Sequence, residues 1–294
     1  MTLLPRPNPA SELRWEVRGG VVDLSAPVIM GVVNATPDSF SDGGKYLSVE
    51  TAVEAGISMV ADGAAIIDVG GESTRPGSDP VPTDVELART IPVVARLAAR
   101  GLTVSIDTSK TEVARAAIEA GAAIVNDVTG LADPEMVDLC ASTGAGAVVM
   151  HMLGDPRTMQ DRPHYDDVVG DVLEFLTRRA AGAQRRGVVP GQIVIDPGIG
   201  FGKTLDHNLI LMRSIDRFAA TGYPVLVGAS RKRFLGAILE PLRGATTPQQ
   251  RDRASAAAVA VAVAGGARVL RVHSVPSAVE VAHVVHTIVN AGGS

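Results

Sequence analysis

Apolar runs recur along the chain, and eight of them end on a polar or charged side chain. Residues 28–34 stop at the Asn34 amide, and residues 65–68 end on Asp68 ahead of Gly70-Gly71-Glu72-Ser73-Thr74-Arg75. Residues 102–107 stop at the Asp107 carboxylate, and residues 123–127 at Asn126 and Asp127. The run 147–151 reaches His151, and 193–196 reaches Asp196. Residues 224–230 lead into Ser230-Arg231-Lys232, and residues 268–273 close the series with Arg271 and His273. Runs this short and this apolar are what strands covered on both faces look like. Between them lie segments long enough for one helix each. Eight strands alternating with helices predict an α/β chain, a (β/α)8 TIM barrel, with its chemistry at the C-terminal rim of the strands.

Residues 13–24 alternate on both sides of Gly19-Gly20, the mark of a β-hairpin. Placed before the first parallel strand, it is expected to cap the barrel bottom with Trp15 as the plug. Residues 1–12 read as a flexible tail and 13–294 as one domain. The stretches 35–44 and 72–80 are too rich in Gly, Pro, Ser and Asp for burial, and have the composition of mobile lids. Thr83 followed by Glu86 predicts a capping box, and Asp133-Pro134 an N-cap with Pro in the first turn. The insertion 153–168, with Arg157, Met159, His164 and Tyr165, is placed to roof the rim. Residues 253–265 would form a helix apolar around its whole circumference. Burial under neighbouring helices accounts for that, but so does a subunit interface; an outer barrel helix normally faces water, which favours a homodimer.

Composition narrows the class. A chain of 294 residues fits one barrel, and 46% hydrophobic content with 3% aromatics gives an interior of Val, Ile, Leu and Ala. A net charge of -5 argues against nucleic-acid binding. The single cysteine, Cys140, rules out an internal disulfide and suits a reducing compartment. With no apolar leader and no span long enough for a bilayer, a soluble cytoplasmic protein is expected.

Against that background a few rim residues carry chemistry. Asp107, Asn126 and Asp196 belong to the third, fourth and sixth strands, and carboxylates at an apolar mouth are costly without a donor. Two acids and an amide aimed inward match a flat heterocycle with several N–H donors. Either acid alone reads equally well as a helix cap; both together, level with Asn126, favour ligand binding. Asn34, Arg271 and His273 come from strands one and eight, neighbours in a closed barrel, and make an anion site in which Asn34 could also ligand a phosphate-bound Mg2+. Lys232 can bond acceptors of the heterocycle, or be a surface lysine on its helix. Ser230 at a helix start can hold an anion. His151 reads as structural. Residues 197–204 end like a phosphate-binding loop, but Pro197 stands where its first glycine belongs, so they read as a tight turn with Phe201 over the site. His283 and His286 read as surface residues.

With these residues in hand, the chain resembles the dihydropteroate synthase family of pterin-binding barrels from about Val28 to Val275. The resemblance rests on seven motifs in order: residues 34–44, 68–77, Ser105-Ile106-Asp107-Thr108, Asn126-Asp127, Met150-His151-Met152, 196–203 and Ser230-Arg231-Lys232. It implies condensation of 6-hydroxymethyl-7,8-dihydropterin diphosphate with 4-aminobenzoate in folate synthesis, with Mg2+ as cofactor. By that resemblance Asp107, Asn126, Asp196 and Lys232 hold the pterin, beside Met150 and Phe201. Asn34, Arg271 and His273 hold the diphosphate and Mg2+, with Thr74 and Arg75 on the second loop. Phe40, Thr74, Pro76, Phe201 and Ser230 border the aminobenzoate pocket, where sulfonamides compete in this family. Asp42 and Phe40 ride on the first loop, and Asp42, Arg75, Asp107, Asp196 and Lys232 are the implied catalytic set. One position departs: the family's eighth strand typically ends Arg-Val-His-Asp-Val, and here Ser274 follows His273. Two alternatives stand beside the synthase. A methyltetrahydrofolate-binding module of a corrinoid methyltransferase would lack the two loop motifs, and a non-catalytic pterin binder would retain pterin without releasing diphosphate.

Overall fold

The structure, a computed structural model, describes residues 13–35, 49–73, 78–155 and 157–291. Its first element is the expected hairpin, β1 (Arg14–Val17) antiparallel to β2 (Gly20–Asp23). Gly19 takes the positive φ of 80° that so tight a turn requires. The hairpin's apolar face, Trp15, Val17, Val22 and Leu24, packs against Met30, Ile66, Ile124, Val148, Val194, Leu226 and Val269 from seven barrel strands. Trp15 is fully buried and its indole N–H donates to the Gln192 carbonyl at 2.8 Å. The plug is where the alternation placed it.

The barrel strands are β3 (Val28–Asn34), β4 (Ile66–Gly70), β5 (Val104–Asp107), β6 (Ile124–Asp127), β7 (Gly146–Met150), β8 (Ile193–Asp196), β9 (Leu226–Val227) and β10 (Val269–Val272). They pair in parallel in the order β8-β7-β6-β5-β4-β3-β10-β9, and a parallel bridge between Ile195 and Val225 joins the two edges into a ring. The seventh barrel strand is shorter than the run 224–230 predicts. Val225 O accepts from both Arg268 N and Val269 N, at 2.9 and 3.1 Å, which breaks the regular ladder. Pro224 has no N–H and contributes only its carbonyl, to Ile195.

Outside the ring lie α1 (Val49–Ala61), α2 (Thr83–Ala98), α3 (Thr111–Glu119), α4 (Pro134–Thr143), α5 (Val168–Arg185), α6 (Leu205–Arg213), α7 (Ile215–Ala219), α8 (Arg233–Arg243), α9 (Asp252–Ala264) and α10 (Val275–Asn290). Asp133 caps α4 as expected, accepting from Glu135 N at 2.9 Å. The capping box at Thr83 does not form: the N-cap is Pro82, and Glu86 is buried with one carboxylate oxygen on Lys110. A charge partner outbids the reach back to a backbone N–H. Helix α9 buries Ser255, Ala258, Val259, Ala262 and Val263, while Val261 on its other side is exposed. No helix among the described residues is long and apolar enough to cross a membrane.

Candidate active site

Strand alternation settles which rim side chains face inward. Met30, Ile66, Ile124, Val148, Val194 and Val269 fill the barrel interior above the hairpin. Positions an even number of residues further along each strand share that face: Asn34, Asp68, Asn126, Met150, Asp196 and Arg271. Asp107 joins them, since it pairs in register with Gly70 on one side and Asn126 on the other. The residues singled out on these seven strands therefore open onto one hollow.

Within it, Arg271 is turned against the acids. Its Nε donates to Asp68 Oδ2 and its Nη2 to Asp107 Oδ2, each at 2.6 Å. The expected grouping of Arg271 with His273 is looser than the sequence suggests, because two buried carboxylates need a donor and Arg271 is the cation between them. His273 Nδ1 lies 3.0 Å from Ser230 Oγ, which also accepts the His273 backbone N–H. Burial pushes the Asp107 carboxyl up to about 7; Arg271 pulls it back, while Asp68, Glu86 and Asp127 push further. Burial also raises Asp196, against Lys232 and a 2.7 Å hydrogen bond from Gly198 N. Burial opposes the charge on Arg271 too, but Asp68 and Asp107 more than offset it and strengthen its hold on the proton.

Lys232, the residue before α8, donates to the Ile199 carbonyl and lies 4.3 Å from the centre of the Phe201 ring. Burial lowers its pKa to about 8, with Asp196 resisting. Phe201, Met150, Val128 and Met159 make an apolar wall. The insertion after β7 sits over that wall as expected: Gln160 Nε2 donates to Gly200 O and Tyr165 OH to Gly202 O, at 2.9 and 2.8 Å. Asp42, Phe40, Thr74, Arg75 and Pro76 lie outside the described residues, as does the tail 1–12. An open groove of about 570 Å3 beside the hairpin, lined by Arg14, Glu16 and Arg18 among others, is at the opposite end of the barrel.

Among the described residues no group of three His, Cys, Asp or Glu is placed to hold a metal. Asn34, half-buried at the top of β3, offers one amide oxygen. That donor suits a Mg2+ that arrives on phosphate and keeps most of its own water, not a metal held by protein alone.

The family model described as pterin binding enzyme matches residues 30–273. Dihydropteroate synthase of Mycobacterium leprae is 49% identical over 91% of this chain and 95% of its own length. The chain belongs to the dihydropteroate synthases. It is therefore an enzyme, a transferase of folate synthesis. Two solved members of the family superpose on it closely. Yersinia pestis dihydropteroate synthase, in complex with a sulfonamide drug, gives a TM-score of 0.89 at 39% identity, covering 95% of this chain and 100% of that one. Burkholderia cenocepacia dihydropteroate synthase, complexed with 7,8-dihydropteroate, gives 0.84 at 39% identity, covering 95% and 98%.

Several residues that the structure brings into the synthase rim lie within the motifs of the resemblance but were given no role in the site. Asp68 ended an apolar run and opened the motif 68–77 but was given no role, although an acid two residues beyond a buried Ile was the available signal. Lys203, fully enclosed, donates to Phe201 O at 2.9 Å and lies 3.0 Å from His151 Nδ1; burial lowers its pKa to about 7. Burial pushes His151 down to about 3, and its neutral ring can accept from the lysine. Lys110 bonds both Glu72 and Glu86 beneath the second loop. Arg231 stands in a left-handed conformation, φ 61°, held by a bidentate pair with Asp252 at the start of α9. That clamp sets Ser230 and Lys232 on either side of it. None of these pairings has a sequence spacing that could reveal it.

Proposed function

We propose that the chain joins 6-hydroxymethyl-7,8-dihydropterin diphosphate to 4-aminobenzoate, giving 7,8-dihydropteroate and diphosphate, and that diphosphate leaves before the amine attacks. The observation that carries this reading is an enclosed wall of acceptors, Asp107 and Asp196 with Asn126 between them, around one hollow. Such a wall suits the N–H edge of a pterin, and the two carboxylates suit positive charge spread over its ring. The bond from the methylene carbon to the diphosphate oxygen breaks with its electron pair on oxygen. The arylamine lone pair then forms the C–N bond, and its proton is lost to solvent. No strong base is required, because the arylamine attacks as the neutral amine.

Asp107, Asn126, Asp196 and Lys232 would bind the pterin, with Phe201 and Met150 against its face. Arg271 and His273 would meet the diphosphate, Thr74 and Arg75 would reach it from the second loop, and Ser230, Phe201, Phe40 and Pro76 would border the amine. Asp42 would close with the first loop. Mg2+ supplies positive charge to the diphosphate when bound, and Asn34 would hold it. The chain would act in the cytoplasm as a homodimer. Ile238, Leu242, Val261, Val284 and Ile288, between 43 and 80% exposed on α8, α9 and α10, are the apolar side chains that suit such an interface.

Replacing Asp196 by Asn tests the wall. Loss of one charge-assisted bond is expected to cost about 2 kcal/mol or more, roughly thirtyfold in kcat/KM for the pterin substrate. Wild-type kinetics in that variant would remove Asp196 from the site. The order of events is read from substrate carrying heavy oxygen in the bridge between methylene and phosphorus. Scrambling of that label without 4-aminobenzoate is the expected result; its absence would leave departure and attack concerted.

A further inference from the structure

Asp68 has no part in the reading above, yet it is a fully enclosed carboxylate of the rim, with no exposed surface. One of its oxygens, Oδ2, accepts from two residues assigned to ligand: Arg271 Nε at 2.6 Å and Asn126 Nδ2 at 3.1 Å. The other, Oδ1, is buried without a hydrogen-bond partner among the described residues, like Ser105 Oγ on the neighbouring strand and Asp107 Oδ1. Asp68 and Ser105 are register partners, and on the other side Asp68 pairs with Val32. A valine or leucine there would continue the apolar interior at less desolvation cost, so packing alone does not explain an acid.

We infer that Asp68 is the positioning residue that fixes the donor and acceptor pattern of the pterin pocket. The inference rests on the pterin reading given above. Because Oδ2 takes the Asn126 N–H, the amide oxygen of Asn126 is turned away from Asp68 and toward the ligand. Because it also takes the Arg271 Nε–H, the guanidinium is shared between β4 and β5 and is not left to Asp107 alone. The groups offered by β5, β6 and β8 are then all acceptors, and an aminopyrimidinone edge with adjacent N–H donors is what satisfies them. Without Asp68, the Asn126 amide is free to turn its NH2 inward, and Arg271 collapses onto Asp107 and occupies the acceptor that the ligand needs. Asp68 therefore acts through two other side chains and touches no reacting atom.

The test compares wild type with Asp68→Asn, which keeps size and removes charge. Calorimetry measures binding of 6-hydroxymethylpterin and of its analogue lacking the 2-amino group, across pH. Wild type is expected to favour the aminated ligand strongly, and the variant to lose about ten- to a hundredfold of that preference, while the KM for 4-aminobenzoate holds. The acid limb of pterin binding gives a second readout. Asp107 is faced by Arg271 from β10, Asp68 from β4, Glu86 from α2, Asp127 from β6 and Lys232 beside β9. Removing the Asp68 charge takes away a repelling neighbour and leaves Arg271 to Asp107, so the limb should move to lower pH. A purely structural loss would lower the plateau and leave both the limb and the ligand preference in place; that result overturns the inference. If Asp68→Asn does not fold, Asp68→Ser gives the same readouts in a less crowded site, and failure of both variants to fold assigns Asp68 to structure instead. Failure of wild type itself to bind the pterin would sink the functional reading, a distinct outcome.

Discussion

The two ends of the barrel are built from the same strands and follow opposite rules. At the bottom, Trp15, Leu24, Ile66, Ile124, Val194 and Val269 are enclosed, and the polar atoms among them are paired: Gln192 Nε2 donates to the carbonyls of Ala145 and Cys140. At the top, two to four residues further along, stand Asp68, Asp107, Asn126, Asp196 and Arg271. Four of the five buried side-chain atoms without a partner among the described residues belong to this end, those of Asp68, Glu86, Ser105 and Asp107; the fifth is Arg268 Nε. Charges that burial disfavours are also gathered there, with Asp107 pushed up to about 7 and Lys232 down to about 8. The bottom is arranged for the fold and the top for a ligand that completes it. Substitutions at the two ends should then differ in sign, not only in size.

The largest effect belongs to the plug. Trp15→Ala removes a fully buried ring and the hydrogen bond to Gln192 O, and should cost about 3–5 kcal/mol of stability. Denaturant unfolding checks the size. Turnover per folded molecule should stay at the wild-type value, because the plug touches none of the rim residues. A fall in turnover that tracks the loss of stability would mean the two ends are mechanically one unit.

That separation also explains how much could be read in advance. Continuous apolar runs exposed the eight strands, and alternation exposed the hairpin and the plug, because burial on both faces or on one leaves a local pattern along a strand. The same pattern placed Asn34, Asp107, Asn126, Asp196 and Arg271 at one rim, since each ends a run. It failed where the deciding contact spans the barrel. Arg271 lies 203 residues from Asp68 and 164 from Asp107, and no spacing announces that one guanidinium serves both. The short seventh barrel strand escaped for a related reason: residues 224–229 carry no polar side chain, while the doubled hydrogen bond at Val225 O is set by residues on β10 and just before it. Thr83 was misleading because a capping box is a local pattern, and the pull on Glu86 comes from Lys110 on another element.

At the top the expected sign reverses. Asp107 has a folded pKa raised to about 7, above its ordinary value of 3.8, chiefly by burial. The folded state therefore holds more protons than the unfolded chain between those pH values, and stability falls as pH rises through that window. At pH 8 the full penalty is present. Asp107→Asn should then make the ligand-free protein about 1–2 kcal/mol more stable at pH 8, since Arg271 keeps Asp68 as its partner. The gain should vanish below about pH 3, where Asp107 is protonated in both states. Thermal unfolding at the two pH values measures both points, and pterin binding should be lost in the same variant. Destabilisation at pH 8 would show that the Arg271 pair outweighs the cost of burying the acid.

The smallest effect concerns Ser274, where the resemblance led an aspartate to be expected. Ser274 is the N-cap of α10, its hydroxyl lies 3.3 Å from Ser277 Oγ, and it caps no backbone N–H; the first turn of the helix carries no acid. An aspartate there would meet the positive end of a helix of 16 residues, so Ser274→Asp should add about 0.3–1 kcal/mol of stability. The neighbouring His273 is already held by Ser230, through its backbone N–H and its ring, so the rim has no call on a carboxylate at 274. Turnover is therefore expected to stay at the wild-type value while the melting temperature rises slightly. A tenfold gain in turnover would instead tie position 274 to the anion end of the site, and the serine would then be a functional change in the rim and not an exchange of one helix cap for another.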